Sequence, residues 1–145
     1  MGFFDALIRL AFPNEARDLI SDPPESASDN RVGIHLIPCF GDEAKVFTHE
    51  LTDEAVLHAI RSLDWEDGFH QVIVIRTPGV SMETSGSLDP EHGLAGVYRD
   101  STTDTMAVTR EAPASIADME AIQRAFLKGG NAWRHVCAFD TLPRH

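Results

Sequence analysis

The stretch from Val72 to Arg110 restricts the fold more than any other part of this 145-residue chain. Val72-Ile73-Val74-Ile75 is an unbroken run of β-branched residues, bounded by Arg76-Thr77-Pro78-Gly79. Such a run reads as a central strand buried on both faces, because branched side chains suit a pleated surface and polar alternation disappears when neither face meets water. Three shorter strands are predicted after it, at about Val80–Thr84, Leu94–Arg99 and Thr105–Arg110. Ser85-Gly86-Ser87 and Asp100–Asp104 supply turn residues between them. Parallel neighbours need a crossover of about a dozen residues or more, and these gaps are too short for one. The strands must therefore run as an antiparallel meander.

The flanking segments complete the element order. Val32, Ile34 and Leu36 alternate with Gly33 and His35, the period of a strand with one buried face. Gly41-Asp42 marks a turn, and Lys45 to Leu51 reads as the returning strand. Thr52 is placed to cap a helix, with Asp53 and Glu54 in its positive first turn and Val56, Leu57, Ile60 and Leu63 on one stripe. Asp64-Trp65-Glu66-Asp67-Gly68 closes that helix. A second helix is predicted from Ser115, paired with Asp118 in a capping-box-like arrangement. Its stripe is Ile116, Met119, Ile122 and Phe126, and Gly129-Gly130 ends it. Trp133, His135, Cys137 and Phe139 then alternate as a last strand. The predicted class is α+β: an antiparallel sheet of about six to seven strands with two main helices packed on it.

Ahead of this body, Phe3 to Phe12 reads as a short amphipathic helix that Pro13 ends, and Ser21 to Asn30 as a polar linker. The organisation is thus an N-terminal helical segment over 1–20, a linker over 21–30 and one α+β domain over 31–145. The helix has two available uses, packing on its own domain or docking a partner. The opening residues lack a basic n-region, and no uncharged run approaches a membrane span, so a cytoplasmic location is expected. Cys39 and Cys137 lie in apolar runs and are expected as buried thiols, although a bond between them is open.

Chemistry is thinly signposted. His49 and His58 stand nine apart, which suits no helical ligand pair, so no metal or other cofactor is expected. His135 and Cys137 would share a strand face, but among Trp133 and Phe139 that alternation reads as ordinary packing. Ser81, Ser87 and Ser101 sit in no nucleophile motif, and Glu83 with Asp89 is one of many carboxylate pairs a chain this acidic must offer. An enzyme is not the expected reading. The 12 Lys and Arg stand against 23 Asp and Glu, a net charge of −11 that disfavours nucleic acid and favours basic partners.

The acids concentrate between Asp42 and Asp67, where Lys45 and Arg61 are the only bases. Asp42, Glu43, Glu50, Asp53, Glu54, Asp64, Glu66 and Asp67 form a candidate docking surface, with Trp65 as its aromatic anchor. The other readings are a solvated face for the acids, and for Trp65 a lid folded back over the helix. From about Leu51 to the C-terminus the chain resembles small bacterial immunity proteins of polymorphic toxin systems. The resemblance is carried by Asp-Glu-Ala-Val-Leu-His-Ala-Ile-Arg-Ser-Leu-Asp (53–64), Gly-Val-Tyr-Arg-Asp (96–100), the segment 114–130 and Trp133-Arg134. It implies a protein that binds and neutralises one cognate toxin, basic and acting in the cytosol, such as a nuclease, an NAD-consuming domain or a deaminase. The alternative is a secretion-system adaptor or chaperone that docks a partner through the N-terminal helix.

Overall fold

The structure is a computed structural model that describes residues 31–38, 43–66 and 68–142. The N-terminal helix and linker, the turn at Gly41-Asp42, Cys39 and Asp67 lie outside the described residues.

Seven strands form one sheet: β1 (Gly33–Ile37), β2 (Lys45–Thr48), β3 (His70–Thr77), β4 (Val80–Gly86), β5 (Leu94–Asp100), β6 (Thr105–Thr109) and β7 (Phe139–Thr141). Their spatial order is β2-β1-β3-β4-β5-β6-β7, and every pairing is antiparallel. The meander from β3 to β6 is the one the short gaps demand. Helix α1 (Asp53–Arg61) fills the connection from β2 to β3, and α2 (Ile116–Leu127) the connection from β6 to β7. The class is α+β. No helix among the described residues is long and apolar enough to cross a membrane.

Both helices lie on one face of the sheet, α1 against β1 and β3 and α2 against β4 and β5, and they pack on each other. The core between these layers joins Val56, Ala59 and Ile60 of α1 and Met119, Ile122 and Phe126 of α2 to Ile34, Val72, Val74, Met82, Leu94, Tyr98 and Ala107 of the sheet. Side chains alternate across a strand, so Val72 and Val74 meet the helices while Ile73 and Ile75 point the other way. All four are at most 2% exposed, as the unbroken β-branched run predicts. Gly96 lets α2 come close. A Cβ there would stand 3.4 Å from Ile122 Cδ1 and 3.3 Å from Thr109 Cγ2, tighter than such contacts normally run.

Two expectations need correction. The first is the turn at Ser85-Gly86-Ser87. β4 continues through Ser85 and Gly86, and the reversal is made by residues 87–93 instead. Gly86 carries φ +108, and a Cβ on it would fall 2.0 Å from the Gly93 carbonyl oxygen, so the strand's end can close on the turn only because nothing is there.

The second is the last strand, which does not begin at Trp133. Gly129 and Gly130 both take positive φ (+89 and +59) and stop α2, and Ala132–His135 then makes a 3-10 turn. That turn drives Trp133 into the core. Its ring stacks on Tyr98 with centroids 4.3 Å apart, meets Phe139 edge-on at 4.7 Å and lies under the Arg134 guanidinium. Apolar alternation from 133 to 139 reflects this plug followed by a short β7, not one continuous strand. His135 is exposed and Cys137 half-buried, so they do not share a strand face; burial, with the charge of Asp118, pushes the Cys137 thiol up.

Candidate functional site

The acidic flank is built by β2, the residues after it and α1. Glu43 leads into β2, the sheet's edge strand, and Glu50 follows it. Thr52 caps α1, its Oγ1 accepting the Ala55 N–H at 3.1 Å, which fixes where the helix begins. Asp53 and Glu54 then fall in the first turn, where exposed backbone N–H groups favour negative charge. Because Val56, Ala59 and Ile60 face the core, both acids and His58 turn outward. Phe47 of β2 packs on this flank and meets His58 edge-on at 5.3 Å. The edge strand thus lies against the outer side of α1, and Glu43, Glu50, Asp53 and Glu54 are all exposed.

Asp64 and Glu66 are exposed at the opposite end of α1. Nine residues of helix separate the two groups, about 14 Å at 1.5 Å per residue. Asp64 Oδ1 accepts the Glu66 N–H at 3.1 Å and closes the turn there. Asp53 faces Arg124 of α2 at 3.2 Å across a half-exposed ion pair. Glu43, Glu50, Glu54, Asp64 and Glu66 make no ion pair with any described base. Arg61 offers them no counter-charge either: its guanidinium bonds Glu120 at 2.8 and 3.3 Å, and that hydrogen bond, more than the accompanying charge, raises its pKa. The described part of the flank therefore has surplus negative charge directed at solvent. Asp42 and Asp67 belong to the same stretch of sequence and lie outside the described residues.

Compared with family models, with curated proteins and with solved structures, the chain matches none.

Trp65 is not an exposed anchor. It is 4% exposed, its Nε1 donates to the Ile60 carbonyl at 2.7 Å, and its ring meets His70 edge-on at 5.7 Å. The indole adds a second donor to a carbonyl in the last turn of α1, which also accepts the Leu63 N–H at 3.4 Å, so it closes the helix like a lid. Asp64 and Glu66 point outward around it. Flanking charge was a poor guide because in a tight turn adjacent side chains diverge. The exposed apolar side chain of β2 is instead Val46, 37% exposed, which lies opposite His35 in the register.

Glu83 is no surface acid either. It is fully buried on the sheet face away from the helices, where Arg99 Nη1 donates to its Oε1 and Gln71 Nε2 to its Oε2, each at 3.1 Å. Committed to those partners, it is not a mobile acid–base group working with Asp89. The register brings the three together, since Glu83 lies opposite Ile73 and Val97 and Arg99 opposite Ser81. No local sequence pattern announces a pair sixteen residues apart.

Ser87 and His92 also meet, with Oγ and Nδ1 3.2 Å apart in the turn between β4 and β5. Ser87 Oγ accepts the Asp89 N–H as well, and the His92 ring packs edge-on against Phe69 at 6.2 Å. Ser87 is fully buried, so this pair ties the turn together without presenting a nucleophile. Their five-residue spacing was visible in the sequence, but the turn that folds one over the other was not. Among the described residues no group of three or more His, Cys, Asp or Glu is arranged to hold a metal ion.

Proposed function

We propose that this chain is an immunity protein that binds a basic, cytosol-acting toxin domain stoichiometrically through the flank formed by β2 and α1. The observation that carries this reading is the set of exposed acids without basic partners among the described residues: Glu43, Glu50 and Glu54 beside β2 and the start of α1, Asp64 and Glu66 at its end. Uncompensated charge on one flank raises the rate of encounter with a basic surface and fixes its orientation. Val46, 37% exposed on the edge strand β2, adds apolar area that charge alone cannot supply. A toxin whose own basic groove holds phosphate would be blocked by such a flank directly. The resemblance of residues 51–145 to immunity proteins supports the same reading, and the cytoplasm is where it would act.

The test is a pull-down with the tagged chain, taking products of neighbouring genes as first candidates, followed by kinetics on the captured partner. Glu50→Lys with Glu54→Lys should slow association roughly ten-fold or more at low salt, with the difference shrinking as salt rises. Glu91→Lys with Glu111→Lys changes net charge equally elsewhere and should do much less. Equal effects from the two pairs would remove this flank as the site. Capture of a secretion component alone would replace immunity with the adaptor reading.

A further inference from the structure

Arg61, Arg99, Arg110 and Arg124 each bond a carboxylate. Arg76, Lys128 and Arg134 make no ion pair with any described acid, and all three stand where α2 ends. In a chain with 23 acids to 12 bases, bases left over at one place call for a reason. Lys128 is the C-cap of α2. Arg76, at the end of β3, donates from Nη1 to the Phe126 carbonyl at 2.6 Å, and its guanidinium carbon lies 4.4 Å from the centre of the Phe126 ring. The negative end of a helix accounts for these two. It does not account for Arg134, whose guanidinium lies 4.3 Å over the Trp133 ring in the 3-10 turn beyond.

The rings between the two arginines are in contact with one another. Phe126 meets Tyr98 edge-on at 6.2 Å, and Tyr98 stacks on Trp133 at 4.3 Å. A guanidinium is thus seated at each end of an aromatic cluster, with Tyr98 in its middle. Stacking holds a guanidinium in place while its N–H edge stays free to bond. Both charges reach the Tyr98 hydroxyl, where they act against the rise that burial and Asp100 cause in its pKa.

Donors exceed acceptors here. Apart from Nη1, Arg76 donates to no described residue, and Arg134 donates to none. Tyr98 reaches Asp100 Oδ2 only at 3.3 Å, long for a hydroxyl donor. Asp100 is the acid at this end, and its Oδ1 is taken by the Thr102 N–H and hydroxyl. Trp133 Nε1 is buried with no acceptor among the described residues. A buried donor without an acceptor costs free energy, and an oxyanion supplies acceptors. At physiological ionic strength charges more than about 8 Å away are largely screened, so the local bases outweigh the distant acids.

We propose that this end of the fold binds a phosphate group between Arg76 and Arg134, with the Tyr98 hydroxyl as a further donor and Lys128 adding charge. A phosphate suits two separately held guanidinium groups better than a carboxylate does, because its oxygens point in tetrahedral directions and it carries up to two charges. The proposal is independent of the toxin-binding reading, and its failure leaves that reading untouched.

NMR of the arginine Nε–Hε groups in the full chain tests it, with inorganic phosphate titrated against sodium chloride of equal ionic strength. The Arg76 and Arg134 signals should shift saturably, while those of Arg61 and Arg110 stay in place. Arg134→Gln should weaken the dissociation constant about five-fold or more, and Tyr98→Phe should weaken it less. A second titration uses glycerol 3-phosphate: tighter binding than phosphate points to a small phosphate ester, and equal binding to the phosphate group alone. Shifts that do not saturate, that affect all arginines alike or that survive Arg134→Gln would overturn the proposal. So would acetate binding as well as phosphate. Arg76→Gln should act like Arg134→Gln, and should it fail to fold, the Arg134 variant decides the matter.

Discussion

The two faces of the sheet are buried alike but built differently. Toward the helices, Ile34, Val72, Val74, Met82, Leu94 and Ala107 meet two helices whose apolar stripes are written at three- and four-residue steps. Away from them, isoleucines share the face with His35, Gln71, Glu83, Ser85 and the mostly buried Arg99. Among the described residues His35 Nδ1, Ser85 Oγ and Arg99 Nε and Nη2 are buried there without hydrogen-bond partners, four atoms against Gln123 Oε1 and Trp133 Nε1 on the helix side. The helix side gains stability from area and packing. The other side places polar groups where each unmet one costs free energy, so its geometry is held by specific pairs. An apolar face tolerates exchange of one aliphatic for another, and a polar one does not.

That contrast can be tested by breaking each side at its most connected residue. Trp133→Ala removes the ring that Tyr98 and Phe139 pack against, and it should cost about 3–5 kcal/mol of unfolding free energy in urea titration. Glu83→Ala leaves Arg99 charged, mostly buried and without its carboxylate, and should cost about 3 kcal/mol or more. Replacing both partners, Glu83→Leu with Arg99→Met, should recover most of that loss. A double variant no better than the single would show that the pair does more than satisfy itself.

Smaller effects separate local from long-range contributions. Thr52→Ala removes the cap of α1 and should cost about 1 kcal/mol, while Asp53→Asn, which breaks the half-exposed pair with Arg124, should change stability by about 0.5 kcal/mol or less.

The smallest effects are those of pH. Burial, more than the nearby Asp100 charge, raises the Tyr98 pKa above its ordinary 10.0. Its contribution to stability is therefore complete below that value and is lost as pH rises through the elevated one. Hydrogen bonds from Thr102 lower Asp100 below its ordinary 3.8, so its contribution is present above that value and disappears as acid protonates it. Urea midpoints for Tyr98→Phe should fall less than wild type between pH 9 and 11, a modest difference. Identical slopes would mean Tyr98 titrates alike in both states.

Much of the architecture was legible locally. The gaps between β3 and β6 are too short for crossovers, and that alone excludes parallel pairing. The caps at Thr52 and Ser115 work as their spacing implies, each side chain accepting the N–H three residues on. The candidate site was half legible. Glu43, Glu50, Asp53, Glu54, Asp64 and Glu66 are exposed as expected, but along two ends of one helix, and the aromatic residue among them is inside.

By itself, then, the sequence determined the α+β class, the meander, both helix starts and the acidic character of the β2–α1 flank. Periodicity, chain length and capping are short-range properties, so short-range reading recovers them. Only the tertiary structure decided that Trp65 closes a helix, that Trp133 is a core plug in a 3-10 turn and that Glu83 is neutralised by Arg99. Each of those outcomes depends on which distant groups a fold brings within a few ångströms. A carboxylate or an indole is exposed or buried according to the partner it finds there, and that partner is not encoded in the residues beside it.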